Sequence, residues 1–271
     1  MDNKMIKLDE QKKIILDMMD EIDCFCLENG ISYSLAYGTL LGAIRHKGFI
    51  PWDDDFDIIM PRKDYEKFIQ IFNKSSKCYQ VVHFSNNDSY YYPFAKVVDT
   101  RTVLEEKNVT TPMSLGVYID VFPLDVCGDN IEVAYSTINK KIKKWIMLNT
   151  VKLMDKKKKR PVHKQIMVYI LKILTKPISW KMILGKINEI GMMYSNYDDS
   201  KYSAATTVMQ RKEEIVRTDL YKATKRIKFE NHMYFVPEGY DEILKSWYGD
   251  YMVLPPESQR VTPHHYKAYW K

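Results

Sequence analysis

No part of this sequence reaches the roughly eighteen uninterrupted apolar residues that a membrane-spanning helix needs. The closest run, Ile166 to Leu174, is short and is interrupted by Lys172. An integral membrane protein is therefore not expected. Met1 to Glu10 is polar and charged and holds nothing like the apolar centre of a secretory signal. Cysteine is scarce: Cys24, Cys26, Cys78 and Cys127 are the four. None stands at metal-finger spacing, and Cys24 and Cys26 are too close in sequence for an ordinary bridge, so the thiols read as reduced. These absences together give a cytoplasmic expectation. Repeats are absent too, and Lys156 to Arg160 is the one low-complexity piece. That run accounts for most of the net charge of +6. A single short cluster is not a basic face interleaved with base-stacking aromatics, so no nucleic-acid partner is expected.

What the sequence does hold is enough for a folded protein: 271 residues, 45% hydrophobic and 28% charged, can bury a sizeable core. Ile15, Met18, Ile22 and Phe25 recur at helical spacing over Leu8 to Asn29, with Gly30 as a stop. A strand over Ile31 to Tyr37 follows, then a short helix entered through Gly38-Thr39 and ending near His46. A second strand spans Asp54 to Met60, and Pro61 suits the first position of the next helix, to Phe72. Further strands are expected at Tyr79–Phe84, Phe94–Val98, Thr102–Glu105 and Val117–Phe122, with a loop over Glu106 to Ser114. From about Ile131 to Tyr194 the chain reads as helical and basic. A hairpin around Asn231 and a helix over Glu238 to Tyr248 complete an α+β reading. The expected organisation is a mixed-sheet core over 1–128, an inserted helical, basic section over 129–195, and a part over 196–271 that completes the core domain.

Asp53-Asp54-Asp55-Phe56-Asp57 runs into an apolar strand. Alternation along a strand puts Asp53, Asp55 and Asp57 on one side and Phe56 and Ile58 on the other, with same-side neighbours roughly 6–7 Å apart. Carboxylates at that range repel and raise each other's pKa unless a cation neutralises them. Oxygen-only ligands suit Mg²⁺ or Mn²⁺, and Mg²⁺ characteristically shares its shell with substrate phosphates. A solvated acidic turn is the ordinary alternative. Asp120 stands alone in the apolar strand Val117 to Phe122 and needs a partner: a metal, a proton in a general-base role, or a structural hydrogen bond. Asp125, after Pro123, reads as a turn residue. Tyr37-Gly38-Thr39-Leu40-Leu41-Gly42 has the strand, glycine, hydroxyl, helix order that lets a backbone cradle phosphate. Arg45 and Lys96 are further candidates for phosphate contact; a solvated helix end and a packed alkyl stem are their alternatives.

The unbroken stretch Gly38 to Asp57 (GTLLGAIRHKGFIPWDDDFD) resembles the signature of the LicD family of phosphorylcholine transferases. Tyr118 to Asp125, and Tyr248 to Met252 continuing through Leu254-Pro255-Pro256, resemble the same family. The resemblance implies a nucleotidyltransferase-like mixed β-sheet with flanking helices. It maps a Gly-Ser-type turn onto Gly38-Thr39, the paired metal-binding carboxylates onto Asp55 and Asp57, and a third carboxylate, on a neighbouring strand, onto Asp120. It implies a phosphorylcholine transferase that moves phosphocholine from CDP-choline to a sugar of a glycan or glycolipid acceptor, a lipid-linked precursor of the teichoic acid, lipopolysaccharide or capsule kind, and releases CMP. Relatives of the fukutin type leave another CDP-alcohol (ethanolamine, ribitol or glycerol) open, and a CTP-using nucleotidyltransferase is the other alternative. The basic run beside apolar helices is expected to touch the anionic inner face of the membrane, with a solvated charge run as its alternative.

Overall fold

The computed structural model of the chain describes residues 4–106, 113–154, 161–197, 199–262 and 266–271. The Lys156 to Arg160 run, and most of the loop expected over Glu106 to Ser114, lie outside the described residues.

Strand β1 (Met5–Ile6) leads into helix α1 (Leu8–Asn29), then β2 (Ser34–Leu35), α2 (Tyr37–Arg45), β3 (Asp57–Pro61) and α3 (Arg62–Ile71). Four strands follow: β4 (Tyr79–Val82), β5 (Ala95–Asp99), β6 (Thr102–Glu106) and the long β7 (Tyr118–Gly128). Helices α4 (Ile131–Leu153), α5 (Val162–Thr175) and α6 (Trp180–Gly191) come next. Strands β8 (Tyr202–Ala204), β9 (Val216–Arg217), β10 (Thr224–Phe229) and β11 (His232–Pro237), helix α7 (Tyr240–Tyr248) and strand β12 (Tyr266–Trp270) complete the chain. The result is a mixed α and β fold.

The main sheet runs β2-β3-β7-β5-β4, with β8 and β9 continuing from the far half of β7. Only the β3–β7 pair is parallel in this row. Strand alternation sends Ile58, Met60, Ala95, Val97, Ile119 and Val121 into a core shared with α1 and α3. Helix α1 supplies Ile15, Met18, Met19 and Ile22, all buried at three- and four-residue spacing. Gly30, at φ 59°, ends it in the left-handed region that a side chain rarely adopts. The opposite face of the sheet carries Asp57, Ile59, Phe94, Lys96, Asp120 and Phe122, and the site is built there.

Three local expectations are corrected, and one strand is added. The strand expected over Ile31 to Tyr37 shrinks to two residues, because Tyr37 turns at φ 44° and opens α2. Pro61 is the last residue of β3 and caps α3, rather than being its first helical residue. Asp125 is no turn residue: β7 runs straight through Pro123, and Asp125 is buried within it. Its carboxylate accepts Arg62 Nε and Nη2 at 2.7 and 2.8 Å, and Thr206 Oγ1 at 2.6 Å. The tail beyond Gly249 contains a strand, β12, which joins β1 and β6 in a second sheet and so ties the two chain ends together. Replacing Asp125 with Ala strands the half-buried Arg62 charge and is expected to cost about 3–5 kcal/mol in urea unfolding.

Candidate active site

Strand register places three charged side chains in one row. Asp57 on β3 faces Asp120 on β7, and Asp120 faces Lys96 on β5. Lys96 is only 1% exposed, and its Nζ forms an ion pair with Asp120 Oδ1. Three rings enclose the ammonium, with centroids at 3.4 Å (Tyr118), 4.4 Å (Tyr92) and 5.2 Å (Phe94). A buried lysine keeps its charge only with such compensation.

The acidic segment before β3 cannot drift away from this row, because its backbone is pinned at each step. Asp53 N–H donates to the Ile50 carbonyl at 2.9 Å. The Asp54 carbonyl accepts Gln11 Nε2 at 2.9 Å, and the same amide holds the Tyr266 hydroxyl at 2.8 Å. Asp57 N–H donates to Thr39 Oγ1 at 2.8 Å, and Asp120 N–H to the Phe56 carbonyl at 2.9 Å. Asp53 lies against Gly38: a Cβ at that position would sit 2.9 Å from Asp53 Oδ2. Glycine there lets a carboxylate rest on the first turn of α2, whose leading N–H groups have no partner inside the helix.

Crowded carboxylates respond by holding protons. Burial, then the charges of Asp55, Asp120 and Asp53, push the Asp57 carboxyl well above the usual range, against the opposing pull of Lys96. Burial and the neighbouring Asp55, with which it shares a hydrogen bond, push Asp53 up to about 7. A protein gains nothing in stability from pinning like charges together. Such an arrangement is one that a bound cation would relieve.

The other residues singled out in the sequence are placed as follows. Gly38 and Thr39 fall in the first turn of α2 rather than in a loop before it. Thr39 is buried and its hydroxyl is committed to β3. Arg45, at the far end of α2, donates from Nη1 to the Tyr251 carbonyl at 2.7 Å, and so anchors the segment that follows α7. Alternation with Asp55 and Asp57 is the sequence signal that also marks Asp53. No local pattern in the sequence marks the aromatic wall beside the acids. Tyr37 stacks on Trp247 (4.8 Å, 20°) and meets Phe122 edge-on at 5.2 Å. These contacts hold the strained φ of Tyr37. Burial, then the negative charges of Glu214 and Asp57, hold the Tyr37 hydroxyl well above the usual phenol range. The half-exposed Tyr248 in turn feels Asp57, Asp53 and Asp55.

The donor set is all hard oxygen, which fits Mg²⁺ or Mn²⁺ and not a soft metal. Among the described residues no three such side chains converge into a ready-made cage. The acids form an open row, which suits an ion that takes part of its shell from a substrate's phosphates. A cavity of about 490 Å³, lined by Asn130, Glu132, Tyr202 and Lys212, involves none of these residues.

Comparison with known proteins agrees with this geometry. The family model described as LicD/FKTN/FKRP, nucleotidyltransferase domain, matches residues 30–147, a span that includes the whole charged row. Lipopolysaccharide cholinephosphotransferase LicD of Haemophilus influenzae is 31% identical over 283 residues, covering 98% of this chain and 99% of that protein. Two matches are local. An uncharacterized protein of Rickettsia typhi is 41% identical over 69 residues (25% of this chain, 22% of that one). Mannosyltransferase regulator 4 of Saccharomyces cerevisiae is 43% identical over 51 residues (19% of this chain, 4% of that one). With an end-to-end relative above 30% identity and the family's domain over the charged row, the chain belongs to the LicD family.

Proposed function

We propose that this protein is a metal-dependent phosphocholine transferase, which moves phosphocholine from CDP-choline to a sugar hydroxyl of a cell-surface glycan precursor and releases CMP. The observation that carries the reading is the pinned row Asp57–Asp120–Lys96 with Asp53 and Asp55 at its end, in a chain similar throughout to a lipopolysaccharide cholinephosphotransferase. Asp55, Asp57 and Asp120 would hold Mg²⁺ or Mn²⁺. Such an ion neutralises charge on the donor pyrophosphate and on the departing CMP.

The chain's own groups supply the rest. The acceptor oxygen attacks the phosphorus bearing choline, the bond from that phosphorus to the bridging oxygen breaks, and CMP leaves with the electron pair. Asp120, ion-paired with Lys96, is the group assigned to take the proton of the attacking hydroxyl. The leading N–H groups of α2, around Gly38, face the acids and are placed to meet phosphate oxygens; Thr39 holds β3 in place, and Arg45 holds the C-terminal segment. The rings around Lys96 are already filled by an ammonium, so the head group is assigned to the other aromatic surface, where Tyr37 stacks on Trp247 and Tyr248 meets Trp247 edge-on. Aromatic faces are what a quaternary ammonium needs. Tyr248→Ala is expected to reduce the preference for CDP-choline over CDP-glycerol, whose head group is uncharged, by about tenfold, read as a ratio of kcat/KM values. An unchanged ratio would remove Tyr248 from head-group recognition.

The donor class is tested by thermal stabilisation with CDP-choline, CDP-ethanolamine, CDP-ribitol, CDP-glycerol and CTP, each with and without Mg²⁺. A ligand that binds only the native state raises the melting temperature by mass action. Metal-dependent stabilisation selective for CDP-choline is expected. Response to another CDP-alcohol would reassign the head group, and response to CTP alone would favour nucleotidyl transfer. Among the described residues no helix is long and apolar enough to cross a membrane. We place the protein in the cytoplasm, with 1–128 and 196–271 forming the catalytic part and 129–195 serving acceptor docking.

A further inference from the structure

Helix α5 is turned inside out relative to an ordinary surface helix. It buries only Val168 and Thr175 against the body of the protein. Its apolar residues point the other way: Val162 is 75% exposed, Ile173 70% and Leu174 65%, and Ile166, Met167 and Ile170 are also exposed. At 100° per residue these six fall within an arc of about 140°. The polar atoms, by contrast, serve the inner side: Lys172 Nζ donates to the Lys152 carbonyl at 3.2 Å, and Thr175 Oγ1 to the Leu171 carbonyl at 2.8 Å. Met147 on α4 and Met182 on α6 are exposed as well. A soluble surface rarely leaves so much apolar area open without a use.

Charge identifies the occupant. Residues 131–194 contain fifteen Lys and Arg and three acids, whereas the remainder of the chain contains 26 and 32. No acid occurs between Asp155 and Glu189. Lys164 and Lys176, at the edge and the C-terminal end of the apolar arc, are exposed; Lys181 on α6 is exposed too and pairs with Asp88. An apolar arc on a helix with basic residues and no acid of its own matches an anionic bilayer surface: the arc enters the acyl boundary and the lysines meet the headgroups. A surface for a second copy of the chain would have no need of so one-sided a charge.

We propose that the outward face of α5 docks the protein on anionic membrane, with the helix lying in the plane of the interface. At 14 residues and 1.5 Å per residue it is about 21 Å long, too short to span. This inference is independent of the donor chemistry: its failure leaves the transfer reading standing, and the reverse is also true.

The test is co-sedimentation of the full chain with vesicles of pure phosphatidylcholine and of phosphatidylcholine with 40% phosphatidylglycerol, at low and high salt (about 0.05 and 0.5 M), which brackets the screening range. Binding to the anionic vesicles alone, weakened by salt, is expected. The double variant Ile170→Ser/Ile173→Ser touches only exposed positions and is expected to weaken that binding at least about tenfold, while Val133→Ser, exposed on α4, leaves it unchanged. Both variants are expected to melt at the wild-type temperature. Equal binding to both vesicle types, wild-type binding by the double variant, or no binding beside a dimer that the double variant abolishes would each overturn the proposal, the last in favour of a second copy.

Discussion

Asp57→Asn is expected to lower turnover by about a thousandfold or more while leaving the metal-free protein as stable as before, or more so. The two halves of this expectation have one cause. Asp57 is buried, pinned through its backbone to Thr39, and pressed by Asp55, Asp120 and Asp53. Without a cation its carboxylate contributes repulsion, so an amide of the same shape relieves strain. The same amide cannot supply the charge that holds a divalent ion. Melting curves in chelator and in Mg²⁺ separate the effects: the wild-type chain gains stability from Mg²⁺ and the variant does not. Full activity in the variant would remove Asp57 from the metal site. Lost activity accompanied by lost stability in chelator would make its role structural.

Lys96→Met is expected to be nearly as damaging, through a different route. Methionine fills similar volume among Tyr92, Phe94 and Tyr118, but the ion pair to Asp120 is gone. Lys96 also pulls down the pKa of Asp57. With it removed, the Asp57 carboxylate binds its proton more tightly, and a reaction that needs it ionised requires higher pH. The acid limb of the pH–rate profile therefore moves upward, and turnover at neutral pH falls by about a hundredfold or more. A profile that keeps its shape while activity drops uniformly would show that Lys96 acts on the substrate rather than through the carboxylates. Arginine is not expected to rescue, because a planar guanidinium does not fit a site only 1% exposed and closed by three rings.

Local order was largely legible in the sequence where local rules decide. The apolar spacing of α1 and its Gly30 stop, the run of β3 into Ile58-Ile59-Met60, and the β10–β11 hairpin with its turn at Glu230-Asn231 all follow from short-range periodicity and turn chemistry. The acids were visible because four carboxylates in five residues have few structural uses. Features set by distant contacts were not legible. Tyr37 leaves the strand early because Trp247, about two hundred positions away, stacks on it. Asp125 reads as a turn from its neighbour Pro123 until Arg62 and Thr206 appear beside it. Strand β12 is formed only by pairing with β1 and β6. Tyr248 is one tyrosine among 20 until the fold brings it to the acids.

The most direct measurement of the central reading follows both products of one reaction. The purified chain is incubated with CDP-choline labelled in the choline, Mg²⁺ and a lipopolysaccharide acceptor lacking phosphocholine, and CMP and acceptor-bound label are quantified together. The account predicts CMP and labelled glycan in equal amounts, both lost in chelator and in Asp57→Asn. CDP-choline left intact, with no CMP and no label reaching the glycan, beside pyrophosphate release when CTP and choline phosphate are supplied instead, would contradict it.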